Sequence, residues 1–241
     1  MKQTHADSLS ARIEVSGLVK KYQYQPVLDQ LSLTVEDGDL CVLVGANGAG
    51  KTTLLRILAG LVRADTGQIL LGGVPLRADP GIRKQIGYIG HASLFYNDLN
   101  ALENLTHYAR LYHINPLEST VVESIRSVGL EPHQHKPLRT YSRGMGQRLA
   151  IARALLHDPA ILLFDEPYTG LDQEGAAFLD DRLRRLQGPS RAILLAAHRP
   201  QRLLQIATHI AWLREGKIVQ HLPVNRLSEA PELRQYLQET A

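Results

Sequence analysis

The run LCVLVGANGAGKTTLLRILAG, from Leu40 to Gly60, constrains the fold of this chain most. LCVLV is a short apolar run that reads as a buried strand. TTLLRILAGL reads as a helix ending at Gly60. The loop between them, GANGAGKT, matches the pattern G-x-x-x-x-G-K-[ST] in its required strand–loop–helix setting. The glycines let the backbone wrap an anion, so that the N–H groups of Gly45, Asn47, Gly48, Ala49 and Gly50 point inward at phosphates. The helix start adds a favourable field. Lys51 is expected to reach the β- and γ-phosphates and Thr52 to bind Mg²⁺. Thr53 is a lesser candidate for a phosphate contact.

A second segment, YSRGMGQRLAIARALLHDPAILLFDEPYTGLD from Tyr141 to Asp172, gives the first its context. The apolar strand ILLF ends in adjacent carboxylates. Asp165 is expected as a direct or water-mediated Mg²⁺ ligand. Glu166 is positioned to orient and deprotonate an attacking water. A pair of ordinary surface carboxylates would explain neither the apolar strand nor its pairing with a phosphate loop. Ser142 and Gly144 stand at a helix start, where a hydroxyl and backbone N–H groups can face an oxyanion. The phosphate loop already cradles its own ligand, so this second terminus suits a nucleotide on another subunit.

Elsewhere, the stretch from Ile13 to Asp39 reads as short strands with a turn at Asp37-Gly38. QILLGGVPL reads as a strand turning at Gly72-Gly73, and IGYIG as another strand. From about 92 to 156 the pattern is helical. Asn100 caps a helix with Glu103 in capping-box position, and Leu102, Leu105, Ala109 and Tyr112 recur at helical spacing. VESIRSVGL and MGQRLAIARALLH are two further helices. AILLAAH is a buried strand, and IAWLREGKIVQHL a hairpin around Glu215-Gly216. The expected fold is α/β: a P-loop NTPase core, an antiparallel β region and a helical insert. Residues 1–11 are expected to be a flexible N-terminus and 12–241 a single domain.

The 241 residues carry a net charge of +3, too weak and dispersed to point to nucleic acid. The one cysteine, Cys41, lies in the apolar strand, so no disulfide framework is expected. No apolar run approaches the ~20 residues that span a bilayer, and no signal-peptide core opens the chain. The expected location is therefore cytoplasmic, with any membrane attachment supplied by another chain. Arg182, Arg184, Arg185 and Arg191 lie near Asp180 and Asp181 and read as a solvated helix face. His133 and His135 read as a solvated loop, and Trp212 as core or hairpin packing.

From about Ile13 to Val219 the sequence resembles the ATP-binding subunits of ABC transporters, whose signature is usually LSGGQ. The resemblance implies a fold of ABC ATPase type. It also implies ATP hydrolysis powering separate integral membrane subunits from the cytoplasmic face of the cell membrane. Two copies would close head to tail on two ATPs, with each P-loop completed by the other copy's Ser142 and Gly144. By position, Tyr22 matches the aromatic that stacks on adenine, with Tyr24 as the other candidate. His198 matches the switch histidine at the γ-phosphate. Asp172 matches the aspartate that communicates across the dimer.

Three positions depart from that pattern. His91 stands where a glutamine normally senses Mg²⁺ and the membrane partner. Its ring nitrogens can donate, accept or ligate through water, although an ordinary loop residue remains the alternative. Arg143 replaces the first signature glycine and Met145 the glutamine. Together with NALENL and DEPYTGLD, these departures resemble the ATP-binding subunit of the haem exporter of cytochrome c biogenesis. Two other classes remain as alternatives. Soluble ATPases that remodel nucleic acid or ribosomes usually carry two modules or long coiled coils. A binding-only regulator would not need Asp165, Glu166 and His198.

Overall fold

The computed structural model describes residues 11–78, 80–90 and 94–240. The expected flexible N-terminus falls almost wholly outside them, and His91 lies outside them too. The elements run in the order β1 (Ala11–Tyr22), β2 (Gln25–Glu36), β3 (Leu40–Val44), α1 (Lys51–Leu58), β4 (Thr66–Leu71), β5 (Val74–Pro75) and β6 (Ile86–Ile89). Then follow α2 (Ala101–Leu111), α3 (Leu117–Ser127), α4 (Arg143–Leu155), β7 (Ile161–Asp165), α5 (Gln173–Leu186), β8 (Ala192–Ala196), β9 (His209–Arg214), β10 (Lys217–Pro223) and α6 (Pro231–Glu239).

Among the described residues the strands form two sheets. The larger has the order β10-β9-β3-β8-β7-β6, parallel except for the β9–β10 hairpin. The smaller is antiparallel, in the order β2-β1-β4-β5. Every residue of β3, β7 and β8 is buried. Helices or a second sheet cover both faces of a parallel sheet, so its strands read as unbroken apolar runs. Within β3, Leu40, Val42 and Val44 face the core shared with the helices, while Cys41 and Leu43 face the core shared with α1 and the small sheet. The chain is thus α/β with an antiparallel sheet on one side and helices on the other.

Local signals hold where the chain itself supplies the partner. The Asn100 side chain accepts from Glu103 N at 2.9 Å and Glu103 Oε2 accepts from Asn100 N at 2.8 Å, forming the capping box. The packing face of α2 differs from expectation: Ala101, Asn104, Leu105 and Ala109 are buried, with Leu102 and Tyr112 at the margin. Asn104 is fully buried because its amide is saturated. It accepts from Tyr96 N at 2.9 Å and donates to the carbonyls of Tyr96 and Asn100, both at 3.0 Å.

β1 and β2 are long strands of 12 residues each rather than several short ones, and their pairing continues across several irregularities in register. α6 had no separate signal in the sequence; it packs Leu233 and Leu237 into the helical core, and its Tyr236 stacks on Trp212. The basic face of α5 is only partly solvated. Arg184 and Arg185 are exposed, but Asp180 is buried, taking a hydrogen bond from Tyr168 at 2.6 Å and one from Arg202 at 2.5 Å. No helix of the described residues is long and apolar enough to cross a membrane.

Candidate functional site

The P-loop leaves the C-terminal end of β3 under tight steric control. At Gly45, with φ +157°, a β-carbon would lie 2.3 Å from the carbonyl oxygen of Leu213. At Gly50, with φ +110°, it would lie 2.8 Å from the carbonyl oxygen of Val27. Only glycine fits either place. No side chain caps the start of α1 and no acidic residue occupies its first turn, which leaves its amides free to face an anion. Asn47 and Gly48 are exposed at the tip; Ala49 and Thr53 are half-buried.

Lys51 is buried, and its Nζ donates to the carbonyls of Gly45 at 2.7 Å and Ala46 at 3.1 Å. Burial lowers its pKa, and the nearby charges of Glu166 and Asp165 partly offset this. The lysine therefore lies within electrostatic range of both carboxylates. Thr52 donates its hydroxyl to Asp165 Oδ1 at 3.0 Å, joining α1 to the end of β7 across 113 residues of sequence. Asp165 is only 2% exposed.

The strand ends bring these groups to one level. Leu43, Ala196 and Asp165 are register partners across β3, β8 and β7. Beyond them the backbones remain joined, with Ala197 N donating to Leu43 O at 3.1 Å and Glu166 N to Ala196 O at 3.0 Å. Glu166 takes a positive φ of 52°, which turns the chain sharply after the strand. Thr169 donates to Glu166 Oε2 at 3.2 Å. His198 is exposed just past the end of β8. Lys51, Thr52, Asp165, Glu166 and His198 thus all lie at the C-terminal edge of the parallel strands, where open α/β sheets bind ligands.

The signature segment forms a second part of the site. Ser142 caps α4 by accepting from Met145 N at 3.2 Å. Gly144 and Gly146 border open space, since a β-carbon at 146 would find nothing within 4 Å. No hydrogen bond of the described residues links Ser142 or Gly144 to the P-loop of the same chain. Asp172 caps α5, accepting from Gly175 N at 2.8 Å. A cleft of about 220 Å³ lies between the start of α4 and the end of β7, lined by Gly90, Arg143, Gln147, Asp165, Glu166 and Thr169.

Tyr22 is half-exposed at the end of β1, with Lys20 Nζ 5.1 Å from its ring centre. Tyr24 is almost fully exposed in the following turn and has a positive φ of 68°.

Sequence reasoning missed three residues that shape this site. Thr169 holds Glu166, and its place three residues further on was the available signal. Gln147 donates to the carbonyl of Pro167 at 3.2 Å. Arg153, buried in α4, donates to the carbonyl of Tyr88 at 2.7 Å and lies over the rings of Phe95 and Tyr108, so it fastens the signature helix to β6. A buried arginine in a helical pattern gives no local sign of its partners.

Residues 28–169 match the family profile described as ABC transporter. The chain is 34% identical over 223 residues to the bacitracin transport ATP-binding protein BcrA of Bacillus licheniformis, covering 92% of this chain and 72% of that protein. It is 39% identical over 177 residues to the cytochrome c biogenesis ATP-binding export protein CcmA of Cupriavidus necator, covering 71% of this chain and 78% of that one. A solved ATP-binding subunit of an ABC transporter superposes with a TM-score of 0.86 at 26% identity, covering 96% of this chain and 99% of that chain. A dimeric bacterial ABC transporter cassette superposes at 0.81 with 22% identity, covering 88% and 98%, and shows the shared fold. The chain belongs to the ABC transporter family, as an ATP-binding subunit whose hydrolysis of ATP is coupled to transport.

Proposed function

We propose that two copies of this chain close head to tail on two ATPs and drive export through separate membrane subunits, with haem for cytochrome c biogenesis as the cargo. The observation that carries the ATP chemistry is the 3.0 Å contact of Thr52 with Asp165 beside a buried Lys51. In this reading the amides from Gly45 to Gly50 cradle the phosphates. Lys51 exchanges its two carbonyl acceptors for β- and γ-phosphate oxygens, and Thr53 adds a further contact.

A hydroxyl beside a carboxylate is a hard-oxygen donor set that suits Mg²⁺, an ion that keeps water and phosphate oxygens in its remaining positions. Thr52 and Asp165 would hold it, with His91 as a third candidate, and it would neutralise charge on the phosphates. Glu166, oriented by the Thr169 hydroxyl, takes a proton from water as the water oxygen bonds to the γ-phosphorus. The bond from that phosphorus to the bridging oxygen breaks, releasing ADP. His198 contacts the γ-phosphate, Tyr22 stacks on adenine, and Asp172 communicates with the second copy. Ser142 and Gly144 face the nucleotide of that copy; among the described residues no hydrogen bond ties them to their own P-loop, which supports this arrangement.

Haem as cargo rests on the 39% identity to CcmA and on the Arg143 and Met145 departures. The similarity to BcrA, which spans more of this chain, favours a second reading in which another substrate is exported. Purification from detergent-solubilised membranes separates the two. A co-purifying multi-pass protein with a haem absorption band supports the first reading. A multi-pass partner without haem supports the second, and no membrane partner at all would overturn both. For the chemistry, Glu166→Gln should lower the ATPase rate by roughly 10²–10⁴-fold while ATP still binds. An unchanged rate would remove Glu166 from the base role.

A further inference from the structure

A cavity of about 430 Å³ opens beside the C-terminal end of α1, at the opposite end of that helix from Lys51. Its volume lies in the range of small-molecule pockets. The inner wall is apolar: Ile57 and Ile69 are almost fully buried, and Leu76 closes one side. Its rim carries three exposed arginines, Arg63, Arg77 and Arg83. Among the described residues, no carboxylate and no aromatic ring lines it.

The three guanidinium groups make no ion pair among the described residues. Arg77 is anchored by a hydrogen bond to the carbonyl of Ala64 at 2.6 Å. Arg83 lies along the backbone of Gly60, where φ is +70° and a β-carbon would be 2.9 Å from its Nε. Asp65, two residues beyond Arg63, is turned to other partners. It accepts from Lys20 Nζ at 3.2 Å and from Lys21 N at 2.7 Å.

Three cations on one rim, with no carboxylate among the described lining residues, repel one another, and an anion among them relieves that cost. Guanidinium forks match the oxygens of a carboxylate or phosphate. An inorganic anion would leave the apolar wall wet, and the absence of a lining aromatic ring removes the usual platform for a base. We propose that this cavity binds an amphipathic anion: a carboxylate or phosphate head between Arg63 and Arg83, and a short apolar tail on Ile57, Ile69 and Leu76. The site is separate from the P-loop, and its occupancy does not depend on the cargo.

Calorimetric titration of the intact protein with octanoate, octanol and inorganic phosphate tests this, with saturating ADP present to block the nucleotide site without turnover. Octanoate is expected to bind saturably at one site, with octanol and phosphate each about tenfold weaker or more. Arg63→Gln and Arg83→Gln should each weaken octanoate by about tenfold and leave ATP affinity within about twofold. Thermal melts establish that both variants are folded. Octanol binding as tightly as octanoate would reduce the site to an apolar hole, and phosphate binding as tightly would reduce it to an anion patch. Either result overturns the proposal. So do unchanged octanoate affinity in both variants, and anionic vesicles binding where octanoate does not saturate.

Discussion

Arg143 lies so close over Gly170 that a β-carbon at 170 would sit 2.2 Å from the guanidinium carbon. The first departure from the family signature is therefore packed against the turn that leads to Asp172 in the same chain. Gly170 also has φ +74°, which an L side chain adopts only with strain. Gly170→Ala is expected to cost about 1–2 kcal/mol from the backbone, plus the displacement of Arg143. In an Arg143→Ala background only the backbone part should remain. A double-mutant cycle in urea should give a coupling of about 0.5 kcal/mol or more, and strict additivity would mean that the contact carries no energy.

Gly45→Ala should be worse, because the obstacle is the backbone oxygen of Leu213 rather than a movable side chain. The loop and β9 must part to admit the methyl group. The expected loss is about 2 kcal/mol or more, read from the urea midpoint, together with loss of ATP binding. Wild-type ATP affinity in this variant would contradict the packing described.

Thr52→Val keeps the shape of the side chain but removes the hydrogen bond to Asp165. Asp165 stays buried with one donor fewer, at a cost of about 1–3 kcal/mol. The Mg²⁺ concentration needed for half-maximal ATPase activity should rise by about tenfold or more, since a direct oxygen donor is lost. An unchanged Mg²⁺ dependence would exclude Thr52 as a ligand.

His157 stacks on Tyr112 with ring centres 3.8 Å apart, and its Nε2 lies 3.1 Å from the carbonyl oxygen of Ile86. Burial is the main cause of a pKa below the ordinary 6.5, against opposing effects of the Ile86 carbonyl and Asp158. His221 shifts the same way, through burial and the neighbouring His209, against the opposing effect of Asp39. The folded state holds both rings neutral, whereas the unfolded chain takes up protons near 6.5. Their contribution is therefore complete above pH 6.5 and is lost as pH falls through the lower folded pKa values. The urea midpoint should be level near pH 7–8 and decline below about 6.5, less steeply in His157→Gln. The same pH profile for both proteins would exclude His157 from this effect.

What the sequence disclosed followed how local each interaction is. The loop from Gly45 to Thr52 announces itself because strand, glycines, lysine and helix are consecutive. The Asn100–Glu103 capping box closes within one turn, and β3, β8 and β7 as far as Phe164 are unbroken apolar runs because both their faces are covered. Contacts between distant segments were silent. Asp180 looks like one more charge on a solvated helix until Tyr168 and Arg202 enclose it, and nothing around Arg153 names Tyr88, Phe95 or Tyr108. The hydrogen bond between Thr52 and Asp165 was foreseeable only through shared chemistry, since both side chains suit one metal ion.

The order of the strands has a further consequence. β8 separates β3 from β7, and Leu43, Ala196 and Asp165 stand level across the three. Neighbouring strands lie about 4.8 Å apart, so about 10 Å divides the start of the phosphate loop from the base of the carboxylate pair. The sheet acts as a ruler, and its graduations are backbone hydrogen bonds. Changes to side chains along that edge alter which group occupies the gap but leave its width intact. A one-residue slip of β7 against β8 would carry Glu166 about 3.3 Å along the strand and spoil the alignment without altering a single side chain.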